Sequence, residues 1–183
     1  GTRLAPYTRT LPKALFPVAG TPVLERMIDN LKRAGCTGIA VNAHHLADRI
    51  EAFLTGRDFG LPVTFSREPD ILGTGGAIRR LAHFWDKAPF WVVNADIVTD
   101  IDLAEVYRRH RERGCRVTLV MHDREPFNQV WVTDDGLVSG FARLGGPSGR
   151  LGLTQMAFTG IQIMDAGILP WIPPDGFRDI LSV

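Results

Sequence analysis

Only two cysteines, Cys36 and Cys115, occur among the 183 residues. Both stand alone just ahead of apolar runs, without the paired spacing of a zinc site or a redox motif, and they read as buried free thiols. No apolar run approaches the ~18 residues of a spanning helix and no signal peptide opens the chain, so a cytoplasmic setting without membrane contact is the expectation. Neither sign of charge dominates. The 21 Lys and Arg against 20 Asp and Glu offer no broad footprint for nucleic acid or an anionic membrane, and any anion site has to be local. Internal repeats, low-complexity tracts and linkers are also missing. At 45% hydrophobic and 22% charged the composition is that of a globular domain, and a chain of this length buries a core without disulfides or structural metal.

What is present is a βα alternation. Thr21-Pro22 reads as an N-cap followed by Pro at the first helical position, with Leu24, Met27, Ile28 and Leu31 on one face and Gly35 closing the helix. Gly38 to Ala43 suits a buried strand, Leu46, Ile50, Phe53 and Leu54 share a helical face, and Leu61 to Ser66 gives another strand. Thr74 is placed to cap a helix running to Leu81, and Phe90 to Val93 is apolar throughout, as a central strand would be. Asp102 to Glu105 resembles a capping box for a helix ending at Gly114, whose Arg108, Arg109, Arg111 and Arg113 read as a solvated face. After Arg116 the rhythm changes: Arg116 to Met121, Gln129 to Thr133, Leu137 to Phe141 and Ala157 to Met164 follow without helices, and Gly145 to Gly149 reads as a mobile loop. The expected fold is α/β, a Rossmann-like mixed twisted sheet with a parallel first half, added antiparallel strands and helices on both faces. Ligands are expected at the carboxyl ends of the parallel strands.

Several residues carry candidate chemistry. Arg3 and Lys13 lie on a Pro- and Thr-rich loop, where cations can neutralise a polyphosphate and a departing pyrophosphate, although either alone is equally a surface charge. Leu72-Gly73-Thr74-Gly75-Gly76 allows a ligand close to main chain or is simply a tight turn. Asp96, after the most apolar strand, offers a hard oxygen ligand for Mg²⁺ or ends the strand as a turn residue. His44-His45 has no third ligand or nucleophile at informative spacing and reads as structural or exposed.

The stretch GTRLAPYTRTLPKALFPVAGTPVLERMI resembles the signature of the nucleotide-sugar pyrophosphorylases, or sugar-1-phosphate nucleotidyltransferases. EPDILGTGGAI at Glu68 to Ile78, VVNADIVTDIDL at Val92 to Leu103 and AFTGIQIM at Ala157 to Met164 follow in the family's order. The resemblance implies transfer of a nucleotidyl group to a sugar 1-phosphate with release of pyrophosphate, possession of Mg²⁺ as cofactor, and a nucleoside triphosphate and a sugar 1-phosphate as partners. A homo-oligomer stays open. It implies catalytic roles for Arg3, Lys13 and Asp96, with Asp96 also holding the metal. Gly1, Thr2, Glu68, Leu72, Gly73, Thr74 and Gly76 would bind the nucleotide, and Asn94, Gly140, Arg143, Thr159 and Gly160 the sugar phosphate, Gly140 from the strand neighbouring Gly160. A free carboxylate at Glu68 can accept two hydrogen bonds from guanine and only one from uracil or thymine, which tilts the donor towards GTP over UTP or dTTP and suggests a mannose-1-phosphate guanylyltransferase-like chain. Two departures stand out. Ala95 replaces the family's usual Gly, and Ala142-Arg143 replaces its Glu-Lys pair. Residues 1–183 are expected to be a single catalytic domain lacking its first strand and C-terminal part. The rival readings are a transferase with another acceptor, which the TGI strand argues against, and a non-catalytic domain that binds nucleotide sugar.

Overall fold

A computed structural model describes residues 4–142, 152–173 and 176–177. Two short strands, β1 (Pro17–Val18) and β2 (Thr21–Pro22), form an antiparallel hairpin turning at Ala19 and Gly20, both at positive φ. That pairing keeps Thr21 and Pro22 extended, so helix α1 (Val23–Arg33) begins one residue later than the Thr-Pro signal suggests, with Pro22 at the N-cap position. It ends as expected beside Gly35, at φ +91. Its apolar face, Val23, Leu24, Met27, Ile28 and Leu31, is buried.

Strand β3 (Ile39–Ala43), helix α2 (Ala47–Thr55) and strand β4 (Val63–Arg67) form a βαβ unit in which β3 and β4 pair parallel, Ile39 opposite Val63 through Ala43 opposite Arg67. Helix α3 (Gly73–Arg80) starts at Gly73 with Leu72 at the N-cap position, so Thr74 lies in the first turn and is not the cap. Strand β5 (Phe90–Val93) follows. Helix α4 (Leu103–Arg113) is capped as its sequence specifies: the Glu105 amide donates to Asp102 Oδ1 at 3.1 Å, and Gly114 closes it in the left-handed region. Its arginines are a solvated face, with Arg108 and Arg109 both paired to Glu105. Those two guanidiniums, Arg108 first, hold the Glu105 carboxyl down at about 2.

The remaining strands are antiparallel. Strands β6 (Val117–His122), β7 (Val130–Thr133) and β8 (Val138–Phe141) precede β9 (Leu153–Met164), which pairs with β5, β6 and β7 in turn, while β8 pairs β7. One core gathers α1, α2, β3, Leu103 and Ile161, and a second gathers Ile78, Phe90, Met164, Ile168 and Ile172. The mixed α/β fold is as expected, with two corrections. Among the described residues β5 pairs only β9, so it borders a cleft instead of lying mid-sheet, because β3 pairs only β4 on the far side. Cys36 and Cys115 are free but only partly buried, and burial pushes the Cys36 thiol up. The loop 145–149 lies outside the described residues.

Ile161 is fully buried between β5 and β6. Truncating it leaves a cavity bounded by paired backbone that cannot collapse, so Ile161→Ala is expected to lower unfolding stability by about 2–5 kcal/mol in urea denaturation, with an unchanged m-value. A loss below about 1 kcal/mol would remove β9 from the centre of the core.

Candidate functional site

The residues that follow β3, β4 and β5 come together. His44, Glu68, Asn94 and Asp96, with Gly73 and Thr74 at the start of α3, belong to the polar part of the lining of a cavity of about 1050 Å³ that otherwise runs between β3 and β5 over apolar residues such as Leu24, Ile28, Leu31 and Ile78. Lys13 and Pro12 line a second cavity of about 240 Å³ that shares Asn42, His44 and Asp96 with the first, so the two are adjacent at the ends of β3 and β5. This is where a strand-end site of an α/β sheet belongs.

Lys13 is carried in by the segment ahead of β1, two single-turn 3₁₀ helices over Tyr7–Arg9 and Lys13–Leu15. His45 donates from Nε2 to the Thr8 carbonyl at 3.1 Å and ties this segment to the end of β3. Lys13 Nζ then stands 3.3 Å from Asp96 Oδ2, although 83 positions separate them in sequence. The two side chains remain 36% and 43% exposed. An ion pair this open adds at most about 1 kcal/mol to folding, so stability does not account for it. What it provides is a cation for phosphate oxygens and a hard carboxylate oxygen side by side at the mouth of a cleft.

Asp96 is the candidate carboxylate ligand for a metal. Among the described residues no group of three or more His, Cys, Asp or Glu side chains is poised around one point. A single carboxylate nevertheless fits Mg²⁺, which takes one or two protein oxygens and completes its shell with substrate phosphates and water.

The other sequence-predicted residues fall unevenly. Gly1, Thr2, Arg3 and Arg143 lie outside the described residues. Gly73, at φ +71, turns the chain into α3, and Gly76 is buried within that helix. Glu68 is not free: at 5% exposure its Oε1 accepts from Asn42 Nδ2 at 2.7 Å and its Oε2 from the Leu72 amide at 3.2 Å. Thr159 donates its hydroxyl to the Val120 carbonyl at 2.8 Å, inside an irregularity where β9 has extra residues opposite β6. Gly160 sits in the same bulge at φ +85 and is packed on Asn94. Gly140 is not on the neighbouring strand: it lies on β8, and β7 intervenes between β8 and β9. Of the sugar-phosphate set, Asn94 alone lines the cleft among the described residues.

Asn42, His44 and His45 were not singled out for the site by sequence. The signal for Asn42 was a polar residue within the apolar strand Ile39–Ala43, and the paired histidines mark where that strand meets the cleft. Their roles are visible only through partners distant in sequence. His44 Nδ1 donates to the Glu68 carbonyl at 2.9 Å.

A family profile described as nucleotidyl transferase matches residues 1–130. The chain belongs to that family. It is 31% identical over 94% of its length to a UTP–glucose-1-phosphate uridylyltransferase of Synechocystis, of which the match covers 48%. It is 32% identical over 71% of its length to a mannose-1-phosphate guanyltransferase of Candida albicans, of which the match covers 41%. The chain thus spans about half the length of these curated relatives. Among solved folds, a UDP-glucose pyrophosphorylase complexed with UDP-glucose superposes at TM-score 0.74 and 17% identity, over 99% of this chain and 80% of that one. HddC from Yersinia pseudotuberculosis gives TM-score 0.74 at 21% identity, over 93% of this chain and 74% of that one. At these identities the structural likeness establishes the nucleotidyl transferase fold.

Gly160 provides a direct check of the site's frame. A Cβ there would lie 2.5 Å from Asn94 Nδ2 and 3.0 Å from Ile97 Cδ1, on backbone that L-residues rarely adopt. Gly160→Ala is therefore expected to destabilise the fold by about 1–3 kcal/mol and to expel Asn94 from its place. An unfolding midpoint equal to that of the unaltered chain would show that the bulge is not so tightly determined.

Proposed function

We propose that this chain is the catalytic part of a sugar-1-phosphate nucleotidyltransferase, and that the approach of Lys13 to Asp96 marks where the triphosphate reacts. A phosphate oxygen of the sugar 1-phosphate attacks the α-phosphorus in line, the bond from that phosphorus to the β-phosphate's bridging oxygen breaks, and pyrophosphate leaves. No bond to the protein forms. Such chemistry asks for positioning and charge neutralisation more than for a nucleophile and base, and Lys13 beside Asp96 supplies that kind of group. When bound, Mg²⁺ on Asp96 would neutralise charge on the phosphates. Lys13 would meet the oxygens of the α-phosphate as charge grows there, with Arg3 on the phosphates further out. Gly1 and Thr2 would border the same phosphates.

The nucleoside end is assigned to Gly73, Thr74 and their flanking residues Leu72 and Gly76, and the sugar phosphate to the side of the cleft bordered by Asn94, with Gly160 behind it and Arg143 as a further phosphate ligand. GTP is the proposed donor, with support from relatives named as mannose-1-phosphate guanyltransferases. UTP is the second reading, supported by the uridylyltransferase relative that aligns over 94% of the chain. The choice between them rests on these relatives and not on the Glu68 carboxylate, which accepts from Asn42 and from the Leu72 amide. We place the enzyme in the cytoplasm; no helix among the described residues is long and apolar enough to cross a membrane. We also take residues 1–183 as one catalytic domain lacking its first strand, in keeping with β3 pairing only β4 and β5 only β9 among the described residues.

Pyrophosphate release with Mg²⁺, scored for GTP, UTP and dTTP against several sugar 1-phosphates, tests the reading. Release from no pair ends it. Asp96→Asn and Lys13→Ala are each expected to lower kcat by about a hundredfold or more while shifting unfolding stability by less than about 1 kcal/mol. Near-normal turnover in either variant would take that residue out of the reaction.

A further inference from the structure

Glu68 is a buried carboxylate at the edge of a ligand cleft, and it is held at four points. Its amide donates to the Ala43 carbonyl at 2.8 Å, and its own carbonyl accepts from His44 Nδ1 at 2.9 Å, which fixes its backbone against the end of β3. Its side chain then accepts from Asn42 at one oxygen and from the Leu72 amide at the other. The Leu72 bond matters most for the cleft. Leu72 immediately precedes Gly73, whose positive φ turns the main chain into α3 and sets Gly73 and Thr74 on the cleft wall. No side chain caps α3, and the Leu72 amide's bond to Glu68 ties the loop 69–76 to a side chain.

We propose that Glu68 is a positioning residue for the nucleotide: through Asn42 on β3 and the Leu72 amide it sets the Leu72–Gly76 loop in the conformation that receives the donor's uncharged nucleoside end. This rests on the nucleotidyl transfer proposed above. Two consequences follow from charge and geometry. A carboxylate at the amino end of α3 occupies the place where the helix would otherwise attract an anion, so the phosphates are directed towards Lys13 and Asp96 instead. And because each Glu68 oxygen already accepts from the chain, the orientation of the carboxylate is set by Asn42 and Leu72 before any ligand arrives.

A swap of the two partners tests this. Asn42→Asp sets two carboxylates against each other and should free the loop, and Glu68→Ala removes its anchor. Glu68→Gln keeps both bonds if the Asn42 amide turns over, since Gln offers one acceptor to Leu72 and one donor to Asn42. The double variant Asn42→Asp/Glu68→Gln rebuilds both bonds with the acceptor and donor exchanged. The expected result is a rise of about tenfold in triphosphate KM, with kcat changed less than threefold, in Asn42→Asp and Glu68→Ala, and recovery in Glu68→Gln and in the double variant. Hydrogen exchange at the Leu72 amide of the ligand-free full chain should accelerate and recover in the same pattern. If KM is unmoved while Leu72 exchange accelerates, the loop bond is structural only and the proposal falls. If the double variant restores exchange but changes the preference between GTP and UTP, Glu68 touches the base and the proposal also falls. If exchange follows the pattern but no triphosphate is turned over by any form, it is the nucleotidyl transfer reading that fails, while the hydrogen-bonded placement of the loop stands on its own measurement.

Discussion

Backbone pairing along β9 is the constraint from which the site's geometry follows. The strand's last residues lie between β5 and β6, with Ile163 opposite both Trp91 and Thr118, and its first residues carry β7. Because β5 is locked in register with β9, the chain leaves β5 at a fixed point, and the Asn94 amide continues the ladder to the Gly160 carbonyl at 3.0 Å. The bulge at Thr159 and Gly160 falls beside that exit. A regular strand would carry a side chain towards Asn94; glycine on left-handed backbone leaves room for it. Asp96 is thereby delivered two residues later to the cleft edge, with its position set by a strand distant in sequence.

The charges at this edge are arranged for exchange of partners. Lys13 and Asp96 meet each other in the ligand-free chain, yet each remains accessible to water. The cost of separating them is correspondingly small, because solvent already screens the attraction. A ligand carrying phosphate oxygens and a divalent cation offers each member a stronger partner than the other. A buried pair in the same place would resist separation and occupy the site itself.

Helical periodicity and strand-ending residues made most of the fold legible. The α4 cap at Asp102, the αL closure at Gly114 and the apolar run Phe90–Val93 are all where local sequence puts them. Errors arose where tertiary pairing overrode local preference, as when β1 and β2 held Thr21 and Pro22 extended, or where partner order is undetermined by pattern, as with Gly140 on β8. The site was legible to the level of residue type and not of partnership. Lys13 and Asp96, both given catalytic roles by the resemblance, stand 3.3 Å apart, while Arg3 lies outside the described residues. Glu68 and Thr159 were expected as ligand contacts from the family resemblance, and a motif match does not reveal whether a hydrogen-bonding group is already satisfied within the chain. Asn42 and the Val120 carbonyl, their partners, are far away in sequence.

The cleft therefore divides by the sign and availability of charge. At one end an accessible cation and carboxylate stand ready for a ligand; at the other, the Glu68 charge is buried, bonded and directed into the protein's own loop. Between them runs the end of β3, whose Asn42 side chain holds Glu68 while the two following histidines hold the Glu68 and Thr8 backbones. Two segments distant in sequence, around Thr8 and around Glu68, are thus held at one strand terminus. For a ligand that is anionic at one end and neutral at the other, the Lys13 and Asp96 end offers an accessible partner for charge and the Glu68 end does not, and under the proposed function that polarity would orient the donor before any base is read.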